Sequence, residues 1–117
     1  MISHEPTPGL LFVTGATGYV GGRLVPALLA EGHKVRCLAR EPRKLDERAW
    51  RADRNVQVVT GDMSDVDQLA GQLEGCSAVY YLVHSMEATG GEYAERDRVL
   101  ASNFARAAAR AGVGRII

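Results

Sequence analysis

Three glycines at intervals of three, Gly15, Gly18 and Gly21 in the run VTGATGYVGGR, form the most chemically specific pattern in the sequence. The run follows the apolar stretch LLFVT, Leu10 to Thr14, and opens a segment with helical spacing. In that setting GxxGxxG, a relative of the GxGxxG fingerprint, reads as a phosphate cradle. One glycine allows the tight turn, one lets a phosphate approach the backbone, and one lets the helix pack close to the strand. The start of the helix then offers free N–H groups and partial positive charge to a pyrophosphate. Glycine-rich turns also arise for steric reasons alone, so the strand before and the helix after carry the dinucleotide reading.

Cofactor choice turns on the end of the next strand. NAD binders place an acidic residue there to take the ribose hydroxyls. Here KVRCLA, Lys34 to Ala39, is followed by Arg40, with Arg43 and Lys44 close behind. A guanidinium at that point can meet a 2′-phosphate and stack on the adenine, which favours NADP(H) over NAD(H). Glu41 argues the other way, and solvated surface charge is the plain alternative.

Asp62, after Gly61, can accept from the adenine amino group while Met63 packs on the ring. Capping of the next helix by Asp62 or Ser64 explains the same residues equally well. The stretch YYLVHSM turns polar at His84-Ser85, but no acid is placed to orient the histidine. These residues read as a wall that positions a ligand rather than as a catalytic set. No residue is assigned a catalytic role, and no metal ligands are expected: Cys37 and Cys76 form no CxxC and have no histidine set nearby.

The elements that must position these groups alternate. Strands are expected at Leu10–Thr14, Lys34–Ala39, Val56–Thr60 and Ala78–Val83. The first helix carries Val20, Leu24, Ala27 and Leu28 as its apolar stripe, with Pro26 producing a local kink and Gly32 the stop. A second helix is expected over Arg43–Arg51. A short third one, capped by Ser64 or Asp65, runs to Leu73, and the longest spans Glu92–Ala111. Strand–helix alternation of this kind winds a parallel sheet with helices on both faces. The final GRII reads as the opening of a fifth strand, so the domain, residues 10–117, is expected to be incomplete. The first nine residues read as a loose leader.

Composition narrows the functional classes. The 117 residues carry 14 Lys+Arg against 14 Asp+Glu, a formal net charge of zero that argues against a nucleic-acid binder. No apolar run reaches membrane-span length and no signal pattern opens the chain. Unclustered thiols suit a reducing cytoplasm.

Taken in order, TGATGYVGG, GHKVRCLAR, TGDMSD, YYLVHSM and GVGRII resemble an atypical or extended short-chain dehydrogenase/reductase, of the NmrA-like and nucleoside-diphosphate-sugar-epimerase-like branch. The resemblance implies a Rossmann-type doubly wound sheet of order 3-2-1-4-(5), truncated at its fifth strand. It implies a pyrophosphate on Gly15, Thr17, Gly18, Tyr19, Val20 and Gly21, and NADP(H) at Arg40. It implies adenine by Asp62 and Met63, and the ribose and nicotinamide side along Leu82, Val83 and His84. Asn103 resembles a position that braces the site's backbone, and pairing within the helix layer would explain it too. The family's active members carry a Tyr-xxx-Lys pair beyond the fifth strand, and nothing in this chain fills that role. Three functions follow: the NADP(H)-binding part of an oxidoreductase or epimerase acting on an unidentified small molecule, inactive by itself; a dinucleotide-sensing regulator; or a scaffold that kept the fold.

Overall fold

The structure, a computed structural model, describes residues 9–82 and 91–117. The expectations for residues 1–8, Val83 and His84 lie outside these. The sheet has four parallel strands, β1 (Leu10–Thr14), β2 (Lys34–Ala39), β3 (Val56–Thr60) and β4 (Cys76–Tyr80), in the order β3-β2-β1-β4. Three helices join or follow them: α1 (Tyr19–Ala30), α2 (Val66–Leu73) and α3 (Gly91–Ala111). Among the described residues no helix is long and apolar enough to cross a membrane.

β1 and β2 bury both faces, as parallel strands covered by helices must, while β3 at the sheet edge buries only Val56. Leu11, Val13, Val35, Cys37 and Ala39 pack with Val25 and Leu28 of α1 on one side. Phe12, Leu38 and Val79 pack with Leu69 and Leu73 of α2 and Phe104, Ala107 and Ala108 of α3 on the other. Alternate residues of one strand thus feed two cores, which is the doubly wound arrangement read from the sequence. Arg36 ties the layers together, its guanidinium donating to the Gln72 and Glu74 carbonyls at 2.6 and 3.1 Å. Those carbonyls belong to the C-terminal end of α2, where a cation is favoured.

Three expectations are corrected. The fourth strand runs from Cys76 to Tyr80 rather than from Ala78 to Val83. It ends early because the Leu82 amide donates to the Thr14 side-chain oxygen at 3.1 Å, where the ladder would need a backbone carbonyl. Its start absorbs a register shift, with Leu10 opposite Cys76 and Leu11 opposite Ala78.

The second helix is instead a pair of 3-10 turns, Pro42–Leu45 and Ala49–Ala52. Leu45 is the one fully buried side chain there, too little to support an isolated helix. On α1 the buried line is Gly21, Val25 and Leu28, while Val20 is 57% exposed and Ala27 also faces solvent. Close packing at Gly21 sets that rotation, which a count of apolar side chains does not register. Pro26 falls on the exposed side, and the helix continues through it to Ala30.

The cap of α2 is Asp65, whose carboxylate accepts from the Gln68 amide at 3.0 Å, leaving Ser64 outside that role. Residues 115–117 run beside β4 on the edge away from β1. There Ile116 pairs with Val79 in parallel, and the Val79 amide donates to the Arg115 carbonyl at 2.9 Å.

Candidate functional site

The carboxyl ends of β1, β2 and β3 open into a cleft of about 380 Å³. Its floor is Thr14, Gly15 and Thr17; one wall is Leu38, Ala39, Arg40, Glu41 and Lys44; the other is Gly61, Asp62, Met63, Arg96 and Leu100. Of the residues expected from the sequence, Gly15, Thr17, Arg40, Asp62 and Met63 meet here. Gly18, Tyr19, Val20 and Gly21 form the turn and first helical residues immediately beside it.

The glycine loop is shaped by contacts that leave no room for side chains. Gly15 has φ +71°, a conformation that favours glycine, and a Cβ there would lie 3.1 Å from the Leu82 carbonyl oxygen. A Cβ on Gly21 would collide with the Gly15 carbonyl and stand 2.7 Å from Ala16 Cα. Gly18 begins α1 with no side-chain cap, and the first turn has no acidic residue. The amides at this helix end therefore have no protein anion competing for them, which suits a phosphate.

Leu82 belongs to the same corner. Its amide bonds to Thr14 Oγ1, which itself donates to the Tyr80 carbonyl at 3.3 Å. Thr14 is buried and was not singled out from the sequence, although a hydroxyl ending an apolar run was its signal. This one side chain fixes the chain leaving β4 against the loop leaving β1.

Charge in the cleft is mixed and ordered. Arg40 is exposed. Glu41, the residue that argued for NAD, is engaged by Arg43 and Lys44, each at 3.8 Å. Asp62 Oδ1 accepts from the Ser64 amide at 2.9 Å. That bond chiefly holds its carboxyl below the ordinary value of 3.8, the Ser64 side chain adds to it, and Arg40 and Arg96 act in the same direction at longer range. A depressed carboxyl is stabilising in its ionised form, fully so above 3.8, and the effect is lost as pH falls through the lower folded value. The Asp62 carboxyl carbon should therefore titrate by NMR with a midpoint below 3.8, and the Ser64 amide shift should follow it. A midpoint at or above that value would contradict the assignment.

Behind the cleft, Asn103 is buried and donates through Nδ2 to the Met63 carbonyl at 3.4 Å. Its Oδ1 accepts from Arg106 at 2.7 Å, so it braces the wall and pairs within its helix at once. Arg96 was missed in the sequence. It sits four residues before Leu100 on α3, and that spacing, which puts both on one helix face, was the available signal. Tyr81 packs edge-on against Phe104 at 5.0 Å between ring centroids, and burial raises its phenol pKa.

Comparison with known proteins agrees with this geometry. A family model described as NAD(P)H-binding matches residues 15–117. The chain is 33% identical to a 3 beta-hydroxysteroid dehydrogenase/Delta 5-->4-isomerase of Mycobacterium tuberculosis, over 93% of this chain and 30% of that protein. It is 34% identical to a putative dihydroflavonol 4-reductase of Synechocystis, over 91% of this chain and 31% of that protein. The chain thus spans under a third of these relatives. Among solved structures, a dTDP-glucose 4,6-dehydratase from Streptomyces venezuelae with NAD bound superposes with a TM-score of 0.76. It is 26% identical, with 91% of this chain and 37% of that one covered. A UDP-N-acetylglucosamine 4-epimerase from Bacillus cereus shares the fold at a TM-score of 0.74 and 20% identity, covering 92% of this chain and 33% of that one.

Proposed function

The chain belongs to the NAD(P)H-binding family, among the epimerase-like short-chain dehydrogenase/reductases, and we propose that it is the cofactor-holding part of an oxidoreductase preferring NADP(H). One observation carries the preference: Arg40 follows β2 on the cleft wall while Glu41 is occupied by Arg43 and Lys44. A carboxylate held by two cations is a poor acceptor for ribose hydroxyls, whereas a free guanidinium fork matches a phosphate. Among the described residues Arg40 has no carboxylate within 4.0 Å.

The nicotinamide dinucleotide, when bound, supplies the hydride acceptor or donor. This chain's residues bind and orient it. The backbone of Gly15, Gly18 and Gly21 leaves the space a pyrophosphate needs, with Thr17, Tyr19 and Val20 lining the turn. Asp62 and Met63 serve the adenine end. Leu82, with Val83 and His84 following it, serves the nicotinamide side. We assign no proton donor: burial raises the Tyr81 phenol pKa, which makes it a weaker acid, and its ring is engaged with Phe104. The 117-residue chain is accordingly expected to bind cofactor without turnover. Relatives named as a dehydrogenase and a reductase support an oxidoreductase over an NmrA-like sensor. Buried, free Cys37 and Cys76 support a reducing compartment such as the cytoplasm.

Titration of the chain with NADPH and NADH, followed by nicotinamide fluorescence, tests the preference. Arg40→Ala is expected to weaken NADPH by about tenfold or more and to leave NADH nearly unchanged, as loss of a charge-assisted phosphate contact requires. Equal NADPH affinity in parent and variant would remove Arg40 from the site.

A further inference from the structure

Arg48 lies between the two 3-10 turns, well away in sequence from the glycine loop, yet its guanidinium is built onto that loop. Its terminal nitrogen donates to the Thr17 carbonyl at 3.1 Å. The guanidinium carbon and both terminal nitrogens lie 3.4–3.5 Å from where a Cβ on Gly22 would stand. Gly22 therefore leaves a bare patch on the first turn of α1 across which the guanidinium lies. The Arg48 amide is itself anchored, donating at 3.0 Å to the carbonyl of the fully buried Leu45.

The placement is electrostatically wrong for an isolated domain. The first turn of a helix carries partial positive charge and repels a cation. No acidic residue occupies that turn to compensate. Asp46, close by in sequence, is with Arg51 at 4.0 Å, and among the described residues no carboxylate lies within 4.0 Å of Arg48. Arg23, also on α1, adds a second cation, its guanidinium 3.8 Å above the Tyr19 ring. A full positive charge held at the positive end of a helix becomes favourable once an anion joins it.

We propose that Arg48 is a positioning residue for the dinucleotide's pyrophosphate, acting by fixing the Thr17 carbonyl away from the anion and by adding countercharge to the α1 amides. The assignment rests on the dinucleotide-binding reading and extends it to a residue outside the glycine motif. Its signature differs from that of Arg40. The pyrophosphate is common to NADH and NADPH, so Arg48 acts on both equally, whereas Arg40 acts on the one with the 2′-phosphate.

The test is titration of parent, Arg48→Ala and Arg48→Lys with NADH and with NADPH at low and moderate salt, alongside thermal melts without ligand. The expected result for Arg48→Ala is a loss of about tenfold for both dinucleotides, with a flatter salt dependence and an unchanged ligand-free Tm. Arg48→Lys, which keeps the charge and loses the fork, should fall between. Unchanged affinity, or a loss confined to NADPH, would overturn the assignment. A loss matched by a fall in ligand-free Tm would overturn it too, by making Arg48 a scaffold residue. Failure of the parent itself to bind either dinucleotide would defeat the underlying reading and this extension together, a different outcome from a binding parent with an indifferent variant.

Discussion

Gly21→Ala is expected to abolish measurable dinucleotide binding and to destabilise the domain by roughly 1–3 kcal/mol. Helix propensity alone predicts the opposite sign, because alanine is better than glycine inside a helix by about 1 kcal/mol. Contact decides against propensity here. The added Cβ would collide with the Gly15 carbonyl and stand 2.7 Å from Ala16 Cα and 2.9 Å from the Gly15 carbonyl carbon. All three are backbone atoms, so no side chain can rotate out of the way. Either α1 lifts off β1 or the Gly15 turn opens, and each change displaces the amides that face the cleft.

Gly71 provides the internal control. It also lies within a helix, α2, but an added Cβ there meets nothing within 4 Å. Gly71→Ala should therefore stabilise by about 0.5–1 kcal/mol and leave binding intact. Chemical denaturation with equilibrium dialysis reads both quantities. Stabilisation by Gly21→Ala as well would mean that α1 does not rest on the glycine loop as the structure has it.

The same glycine shows what the sequence conveys and what it withholds. The first three strands were legible at their observed bounds, because short runs of β-branched and apolar residues between turn or charged segments mark strands directly. Their order was implied by the family resemblance rather than by the residues of the strands, and the sheet has it as β3-β2-β1-β4. The rotation of α1 was not legible. Periodicity counts apolar side chains, and the residue that fixes this helix has none.

Interactions distant in sequence were hidden for the same reason. Thr14 ends the β4 ladder from 68 residues away, and Arg48 reaches Thr17 across 31. Asp62 was read as either adenine acceptor or cap. The structure gives its carboxylate to the Ser64 amide and the α2 cap to Asp65, leaving Asp62 on the cleft wall. Arg40 and Glu41 were weighed as competitors from adjacency alone. The side-chain geometry adds what adjacency cannot: Glu41 lies 3.8 Å from both Arg43 and Lys44.

Phe104→Ala is expected to cost about 3–5 kcal/mol, the range for deleting a buried aromatic ring. Phe104 is 1% exposed, and its ring stands 6.2 Å from that of Phe12 and 5.0 Å from that of Tyr81. It joins a helix on one face of the sheet to a central strand and to the residue just past β4. Neighbouring rings cannot fill the gap without leaving their own partners, so most of the cavity penalty should persist. Domains of this size have roughly 5–15 kcal/mol in total, and a loss on this scale lowers Tm by roughly 12–25 °C.

The functional consequence travels through the helix. α3 carries Arg96 and Leu100 on the cleft wall and Asn103 behind it, bonded to the Met63 carbonyl. Asn103→Ala, which removes that brace and the acceptor for Arg106, should cost about 1–2 kcal/mol and weaken dinucleotide binding modestly. Phe104→Leu, which keeps most of the buried area, should fall between the parent and Phe104→Ala in Tm. If Phe104→Ala melted within a few degrees of the parent, α3 would not be held by this cluster. The wall formed by Arg96, Leu100 and Met63 would then need another support.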